Sequence, residues 1–470
     1  MKSTLFALSL LLPVITILAV EPEKTDLSGY YTPDIVRNQL DLQLNSNSFF
    51  NATEASSSEN NSVAKSNTLD LKGNINANLY RYVNTRKLIS TFSAGAASST
   101  NFNHQRSEST DDVQLMPERR KNYTTLTNNQ LGVNWENNHY LIEKFYLYYS
   151  LGANVSHTNN FSRAIRESDL QSFENKAAER TRSALLVPGI GLGVGRIERV
   201  DDMRQAIYIV DAIQQQGRLN RQLTRDELFR FSQLISAVKN KRFLDSRLHL
   251  IDEITTVDGF LTGNGLVDKS DAAYFTSLYD MWQYGDLFSR KSGSELQLKL
   301  FSRLSVSDTR NYLNSMIPDT SHLITEVNNG FYGQADLVYT YEKPFRLNWQ
   351  HSARAGAIAS LSKSVMNDTE WPAYTSAEVF AGYQLGFYPS TRTYLKAGIS
   401  QSLWSGKDEN AADWTLLAQT ELQSSVYYYV SRQVRVSGSF NVNRLWTQQT
   451  PTTNSQLSSR INITLTYSIW

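Results

Sequence analysis

Several long segments of this sequence alternate strictly between apolar and polar residues, and this period of two limits the fold more than any other feature. An extended strand points successive side chains to opposite faces, so each segment has one apolar face and one polar face. The clearest examples are 69–79, 296–304, 345–355, 434–443 and 461–469. A soluble β-sandwich alternates in the same way, so the pattern leaves two architectures open.

The N-terminus predicts export. Residues 1–20 have the features of a secretory signal peptide: Lys2, then an apolar core, then the small residue Ala19. Beyond them no apolar run reaches the ~18 residues that a transmembrane helix requires. The sequence contains no cysteine, which excludes a lipoprotein anchor and disulfide bonds. We therefore expect either a large periplasmic protein or a membrane β-barrel.

Strand length, aromatic residues and connection length favour the barrel. Tyrosines cluster at predicted strand ends, where a membrane interface would lie, and short turns alternate with long polar connections. Tight turns are predicted near residues 84–85, 137–138, 343–344, 389–390 and 431–432. Long connections are predicted at 51–66, 104–121, 160–178, 312–328, 365–372, 405–412 and 447–454. The sequence thus predicts an all-β transmembrane barrel of about 14 antiparallel strands, each of ~10 residues.

A helical period interrupts this pattern between residues 197 and 293. Apolar residues spaced as in a helix follow Asp201, and Thr224 to Glu227 form a capping box that begins a second helix. A third helix, with Ile251 among its apolar positions, ends toward Gly263, and a fourth follows. The insert replaces a turn of the short kind, so we expect it, like both termini, to lie in the periplasm.

These patterns divide the chain into five parts. The parts are the signal peptide 1–20, an N-terminal periplasmic segment 21–37, the first barrel half 38–196, the helical insert 197–293 and the second barrel half 294–470.

The polar faces of the predicted strands would line the lumen. The charged residues predicted to line it are Asp70, Lys72, Glu295, Lys299, Arg303, Asp336, Arg346, Arg354, Glu378, Lys396, Glu421 and Arg435. Opposite charges across a pore would select small polar solutes, whereas charges that pair within a closed barrel would only fill it. A barrel of about 14 strands is wider than side chains alone can fill, which favours a water-containing lumen.

A run of glycines marks one strand next to the insert. Gly189, Gly191, Gly193 and Gly195 share one strand face because they are spaced by two. A dinucleotide-binding loop needs a different spacing, so this run does not predict nucleotide binding. We interpret it as a surface for close packing or sharp barrel curvature.

Other functional classes receive little support. A net charge of +1 gives no basic surface for nucleic acid. The six histidines form no metal-binding or protease motif, and no loop has a calcium-binding pattern. We expect no enzyme activity, no metal and no cofactor.

The insert and its flanking strands resemble a family. The segments GRIERVDDMRQAIYIVDAI, KNKRFLDSRLHLIDEI and FLTGNGLVDKSDAAYFTSLYDMW, within about residues 180–300, resemble a group of uncharacterised outer-membrane barrel proteins from Bacteroidota. The resemblance implies location and architecture, not an activity. The terminal aromatic Trp470 resembles the signal that the barrel assembly machinery binds, although it is one residue out of phase with the apolar face.

The function that we expect is a passive outer-membrane channel or transporter for small polar solutes. The alternative is a structural or assembly protein whose barrel anchors the helical insert, which would dock a periplasmic protein partner. A fatty-acid-type transporter fits less well because the predicted lumen is polar. The other expected partners are outer-membrane lipid and, during biogenesis, the assembly machinery.

Overall fold

The fold is taken from a computed structural model. It describes residues 27, 30–57, 62–111, 114–167, 172–240, 249–268, 271–284, 290–314, 322–390, 392–430, 434–449 and 452–467. The predicted signal peptide, the predicted turn at 431–432, residues 241–248 of the insert and Trp470 lie outside these residues.

Strands dominate the described chain. They are β1 (Ile35–Ser57), β2 (Ser62–Asn84), β3 (Leu88–Asp111), β4 (Gln114–Tyr140), β5 (Phe145–Glu167), β6 (Ser172–Arg199), β7 (Lys291–Asn314), β8 (His322–Phe345), β9 (Trp349–Met366), β10 (Thr369–Glu370), β11 (Tyr374–Ser390), β12 (Thr393–Asp408), β13 (Thr415–Tyr429), β14 (Val434–Gln449) and β15 (Thr452–Tyr467). Each long strand pairs antiparallel with the next along one sheet, and the two-residue β10 pairs only with β9. The predicted fold class, an antiparallel transmembrane barrel with a helical insert, is confirmed.

The strands are much longer than predicted. The long connections expected at 51–66 and 104–121 are largely strand, because β1 pairs with β2 as far as Ser57 opposite Ser62, and β3 pairs with β4 as far as Asp111 opposite Gln114. The connections predicted at 160–178, 312–328 and 447–454 are shortened in the same way, whereas those predicted at 365–372 and 405–412 are found close by, at 367–373, which contains β10, and at 409–414. Ser-, Thr- and Asn-rich polarity was the signal for loops, but polar residues also occupy strands that project beyond an apolar belt.

Cross-strand ion pairs accompany these extensions. Glu54 stands opposite Lys65, with 3.1 Å between carboxylate and ammonium. Arg119 stands opposite Glu108 at 3.1 Å. Opposite charges directly across an antiparallel pair stabilise it by roughly 0.2–1 kcal/mol. Several such pairs explain why polar sequence remains in register so far along the hairpins.

Two predicted turns were misplaced. Residues 343–344 lie within β8, and the turn occupies 346–348, where Arg346 has a left-handed φ of 59°. Residues 137–138 likewise lie within β4, which continues to Tyr140. Asn and Pro favour turns locally, but cross-strand pairing overrode that preference here.

One face of the sheet is apolar throughout. Leu298 on β7 stands opposite Leu337 on β8, and both are nearly half exposed. The same face continues through the even-numbered residues of β13 and β14, such as Leu422 and Phe440. A contiguous apolar surface of this extent is what lipid contact requires.

In the described residues, the sheet has two edge strands that lack a partner on one side, β1 and β15. No ladder there joins β1 to β15. Both strands are exposed on both faces over nearly their whole length, with Leu42 at 76% and Ile463 at 77% exposure.

Four helices lie in the described residues of the insert. They are α1 (Asp201–Gln215), α2 (Arg225–Asn240), α3 (Leu250–Gly263) and α4 (Ala272–Tyr284). Their shared core includes Ile209, Phe231, Ile235, Leu261 and Leu278, all fully buried. Ile251, which was predicted to face this core, is instead 78% exposed. The face of α3 that packs against the core is the one that carries Val257 and Leu261. Within the described residues, every helix is too short or too polar to cross a membrane.

The predicted capping box at α2 is confirmed. The Glu227 backbone amide donates to the Thr224 hydroxyl at 3.3 Å, and the Thr224 amide donates to the Glu227 carboxylate at 2.9 Å. Arg221 adds two hydrogen bonds to the same carboxylate, at 2.8 and 2.9 Å. The Arg221 guanidinium and then the Thr224 amide lower the pKa of Glu227 to about 2.

The lowered pKa of Glu227 predicts that the N-terminal end of α2 is sensitive to acid. Folding lowers the pKa of Glu227. The stability that its ionised carboxylate contributes is therefore fully present above the ordinary pKa of 4.5 and is lost as the pH falls toward about 2. We expect the protection factors for hydrogen exchange in the first turn of α2, which are corrected for the intrinsic pH dependence of exchange, to fall over that pH window. In the Glu227→Gln variant the window should disappear. Equal acid sensitivity in that variant would show that another group is responsible.

Candidate lumen and its mouth

Many of the predicted lumen residues lie on the polar face of the sheet. Lys299, Asp336 and Arg354 line one cavity of about 300 Å³. Arg354, Glu378 and Glu421 line a second of about 510 Å³. A third, of about 540 Å³, is lined by Lys396 and Glu421. These residues lie on neighbouring strands from β7 to β13 and together form one polar wall, which we call the inner wall.

Other predicted residues lie apart from these cavities. Asp70 and Lys72 pair with each other on β2 at 3.0 Å. Arg435 packs its guanidinium 5.7 Å from the Tyr429 ring, and Arg303 stands opposite Tyr332. Arg346 lies in a turn and not on a strand. It occupies the β8–β9 turn, because β8 ends one residue earlier, at Phe345.

The glycine run lies under an aromatic cluster. A Cβ on Gly193 would lie 2.1 Å from Tyr146 Cζ, and one on Gly189 would lie 2.7 Å from the Phe301 ring. Tyr146 is fully buried, donates its hydroxyl hydrogen bond to Glu295, and receives one from Gln297 at 2.7 Å. The inner wall beside the glycine run is therefore covered by side chains, whereas the two larger cavities lie over β8–β13 and over β11–β15.

Gly195 is the most constrained glycine of the run. Its φ is +111°, and an added Cβ would lie 2.0 Å from the Ser294 carbonyl oxygen. We expect Gly195→Ala to lower the free energy of unfolding by about 1–3 kcal/mol, because side chains are disfavoured at this φ and the backbone atom cannot move aside. Gly73→Ala is the matched control, since nothing lies within 4 Å of its Cβ position. Equal unfolding curves for the two variants in lipid vesicles would contradict this expectation.

The helical insert is fastened to the inner wall at one end of the sheet. Arg290, which is 1% exposed, donates to the carbonyls of Arg346, Leu347 and Trp349 in the β8–β9 turn. Its Nε donates to Gln350 Oε1 at 3.2 Å. Burial and then the neighbouring Arg204 lower the pKa of Arg290 to about 10, so it stays charged at neutral pH.

The insert also contacts strands farther along this end. The Arg204 and Arg290 guanidinium groups lie 5.7 and 5.2 Å from the ring of Tyr388 on β11. Arg392, in the β11–β12 turn, forms a 3.5 Å ion pair with Asp280 of α4. The insert is thus packed against the short turns of β8 to β12.

A second set of contacts joins the opposite part of the same end. Leu27 and Tyr30, just before β1, pack against Val200, Met203 and Ile207 at the start of the insert. At the end of β6, Glu198 accepts a hydrogen bond from Thr32 at 2.7 Å. Arg196 donates to Asn84 at 2.7 Å. Because the insert reaches both the β1–β2 side and the β8–β12 side, it extends across this end of the inner wall, which we call the mouth.

Sequence reasoning missed several residues of the inner wall and the mouth. Glu342 accepts hydrogen bonds from Gln350 at 2.9 Å and from Ser352 at 2.5 Å. It has the same parity as Asp336 on β8, so the period of two would have found it. The period of two could not have identified Arg290, because this residue lies between a helix and a strand.

Metal sites are not evident. In the part of the chain that the structure describes, no three His, Asp or Glu side chains are grouped so as to hold a metal ion.

Comparisons with known proteins add little beyond the fold. No family model matches the sequence, and no curated protein matches it. Among solved structures, the translocator domain of the autotransporter NalP from Neisseria meningitidis is 9% identical, covering 94% of this chain and 91% of that one, with a TM-score of 0.23. The Pseudomonas putida toluene transporter TodX is 9% identical, covering 92% and 87%, with a TM-score of 0.25. Pseudomonas aeruginosa OccK11 is 8% identical, covering 93% and 98%, with a TM-score of 0.19. Identities and TM-scores this low do not bear on what this chain transports or binds.

Proposed function

We propose that this protein is an outer-membrane β-barrel that acts as a passive channel or transporter for small polar solutes. The observation that carries the proposal is the division of one continuous sheet into an apolar face and a polar face with cavities of about 510 and 540 Å³. An apolar belt suits lipid, and a polar interior suits water and dissolved solutes.

The proposal includes closure of the barrel by β1 and β15. Unpaired strand edges are not tolerated in hydrocarbon, because no water satisfies their backbone groups. Placing Leu42 opposite Ile463 would bring both onto the lipid face, and their neighbours Gln43 and Asn462 would then face the lumen. Each strand has its apolar residues on one parity, which supports a pairing that keeps both belts continuous.

Paired cysteines can test this closure. The chain has no cysteine of its own, so background crosslinking is absent. In the membrane-inserted protein we expect a disulfide to form between Leu42→Cys and Ile463→Cys. The control pairs Leu42→Cys with Asn462→Cys, whose side chain would point to the other face. Efficient crosslinking of the control alone, or of neither pair, would contradict the proposed register.

Conductance tests the channel itself. The purified protein in a planar bilayer should give discrete ion-conducting steps. Complete absence of conductance, with the folded state verified by its gel mobility, would overturn the channel. In the proposed orientation the helical insert lies in the periplasm, across the mouth.

A second candidate function is docking of a periplasmic protein through the insert. Ile251 on α3 and Phe275 on α4 are large apolar side chains that are 78% and 41% exposed. Exposed apolar residues of this size occur at protein interfaces. Crosslinking in intact cells should then capture a periplasmic protein from the parent chain and lose it in Ile251→Asp, and an unchanged pattern would contradict docking through α3.

A further inference from the structure

Side-chain amides are placed in rows on the inner wall over β11–β14. Gln384 on β11 and Gln423 on β13 both stand opposite Gly398 on β12. Gln423 in turn stands opposite Asn441 on β14. Gly398 has no side chain, and a Cβ added there would fit tightly, 3.1 Å from the Tyr383 carbonyl oxygen and 3.3 Å from Gln384 Cβ. The row therefore has a low floor with amides on both sides.

The next row also has a low floor, formed by Gly382 and Ser400, and carries one amide, Asn443. Gly382 on β11 and Glu421 on β13 both stand opposite the small residue Ser400. Glu421 accepts a hydrogen bond from Asn441 and stands opposite Asn443. We call the two rows together the amide groove. It joins the two larger cavities, which share residues of both rows.

The groove has the chemistry to hold hydroxyl groups. Each amide side chain offers two donor hydrogens and an acceptor oxygen, so it can bind neighbouring hydroxyls of a diol, which also donate and accept. Asn443 Oδ1 is buried without a hydrogen-bond partner among the described residues, and such an acceptor calls for a donor.

An aromatic ring lies beside the groove. Phe380 lines the cavity of about 510 Å³, two residues along β11 from Gly382. The Arg354 guanidinium lies 5.2 Å from its centroid.

We propose that the amide groove binds neutral polyhydroxylated solutes, namely short sugars, on the lumen side of the barrel. This inference rests on the proposed channel function and names its solute class. Over β11–β14, Glu421 is the charged side chain of the two rows, and Asn441 donates a hydrogen bond to it; the other polar side chains of the rows are uncharged amides and the Ser400 hydroxyl. Arg354 of β9 and Arg460 of β15 stand at the ends of the rows, opposite Gly382 and Asn441. A strongly charged solute finds no comparable row of opposite charges in the groove.

Isothermal titration calorimetry of the full-length protein in detergent micelles tests this directly. The probe is maltotriose, and triethylene glycol, which lacks adjacent hydroxyls, is the negative comparison. We expect saturable binding of maltotriose only. The double variant Gln384→Leu, Gln423→Leu should bind at least about tenfold more weakly, because two hydrogen-bonding groups are lost at ~1 kcal/mol each. Gln130→Leu on β4 is the matched control, and its affinity should equal that of the parent.

Conductance of the same preparations separates this inference from the channel. Maltotriose binding that depends on Gln384 and Gln423 supports the groove whether or not the protein conducts. A protein that conducts but does not bind maltotriose overturns the groove and leaves the channel standing. Equal affinity in the double variant and in Gln130→Leu also overturns the groove. Gel mobility of each variant verifies that it is folded, and Gln384→Asn, which keeps the amide, should retain part of the affinity.

Discussion

Replacing Arg290 by alanine should release the helical insert from the mouth. This nearly fully buried side chain donates to three backbone carbonyls of the β8–β9 turn and to Gln350. Gln350 is buried and the carbonyl hydrogen bonds are part-buried. Leaving a buried acceptor unsatisfied costs about 1–3 kcal/mol, and each part-buried bond adds about 0.5–1.5 kcal/mol, so we expect docking to lose at least about 3 kcal/mol. The population of undocked insert, measured by its rate of limited proteolysis, should rise by about 100-fold or more.

Arg392→Ala is the matched control. It removes another arginine that joins a barrel turn to the insert, but its only described ion pair, with Asp280, is partly exposed at 3.5 Å. Partly exposed pairs contribute ~0–1 kcal/mol, so proteolysis should change little. Arg290→Lys keeps the charge without the planar fork and should fall between the two. Protection of the insert in Arg290→Ala equal to that of the parent would show that Arg290 does not hold the mouth closed.

Release of the insert should also change conduction. Because the insert extends across the mouth, the Arg290→Ala channel should have a larger open conductance or a longer open time than the parent. Identical traces, together with increased proteolysis, would mean that the docked insert leaves the path for ions free.

Leu422→Arg should destabilise the membrane-inserted protein strongly. Leu422 lies in the middle of β13, and its side chain is 48% exposed on the apolar face. An arginine on the lipid face near the bilayer midplane costs about 2–4 kcal/mol. Denaturant unfolding in lipid vesicles should show this loss in the free energy of unfolding.

The adjacent residue provides the control. Gln423 follows Leu422 in the chain and lines the polar cavities. Gln423→Arg places the same side chain on the other face, where water can solvate it, so the loss should stay below about 1 kcal/mol. Equal losses at the two positions would contradict the assignment of lipid and lumen faces.

The local pattern predicted the sheet better than it predicted the lumen. Alternation across Leu296–Leu304 assigns the two faces of β7 correctly, because side-chain direction follows from parity alone. The same pattern could not say that Lys299, Asp336 and Arg354 meet in one cavity. Their proximity depends on the registers of β7, β8 and β9, which are set by pairing between distant parts of the chain.

The helical insert shows the same difference between local interactions, which were predicted, and long-range interactions, which were not. The capping box at Thr224 and Glu227 was predicted because it is a local interaction within four residues. The anchoring role of Arg290 was not, because its partners lie more than 50 residues away in a turn whose position was itself misjudged. Hydrogen bonds between distant segments leave no period in the sequence.

By itself, the sequence determined the class of sheet, the division of each strand into two faces and the presence of four helices. These follow from side-chain direction and hydrophobicity within a few residues. The tertiary structure alone decided which polar residues form cavities, that aromatic rings fill the glycine side, and that the insert crosses the mouth. Those features depend on strand register and on packing between remote segments, which local patterns do not encode.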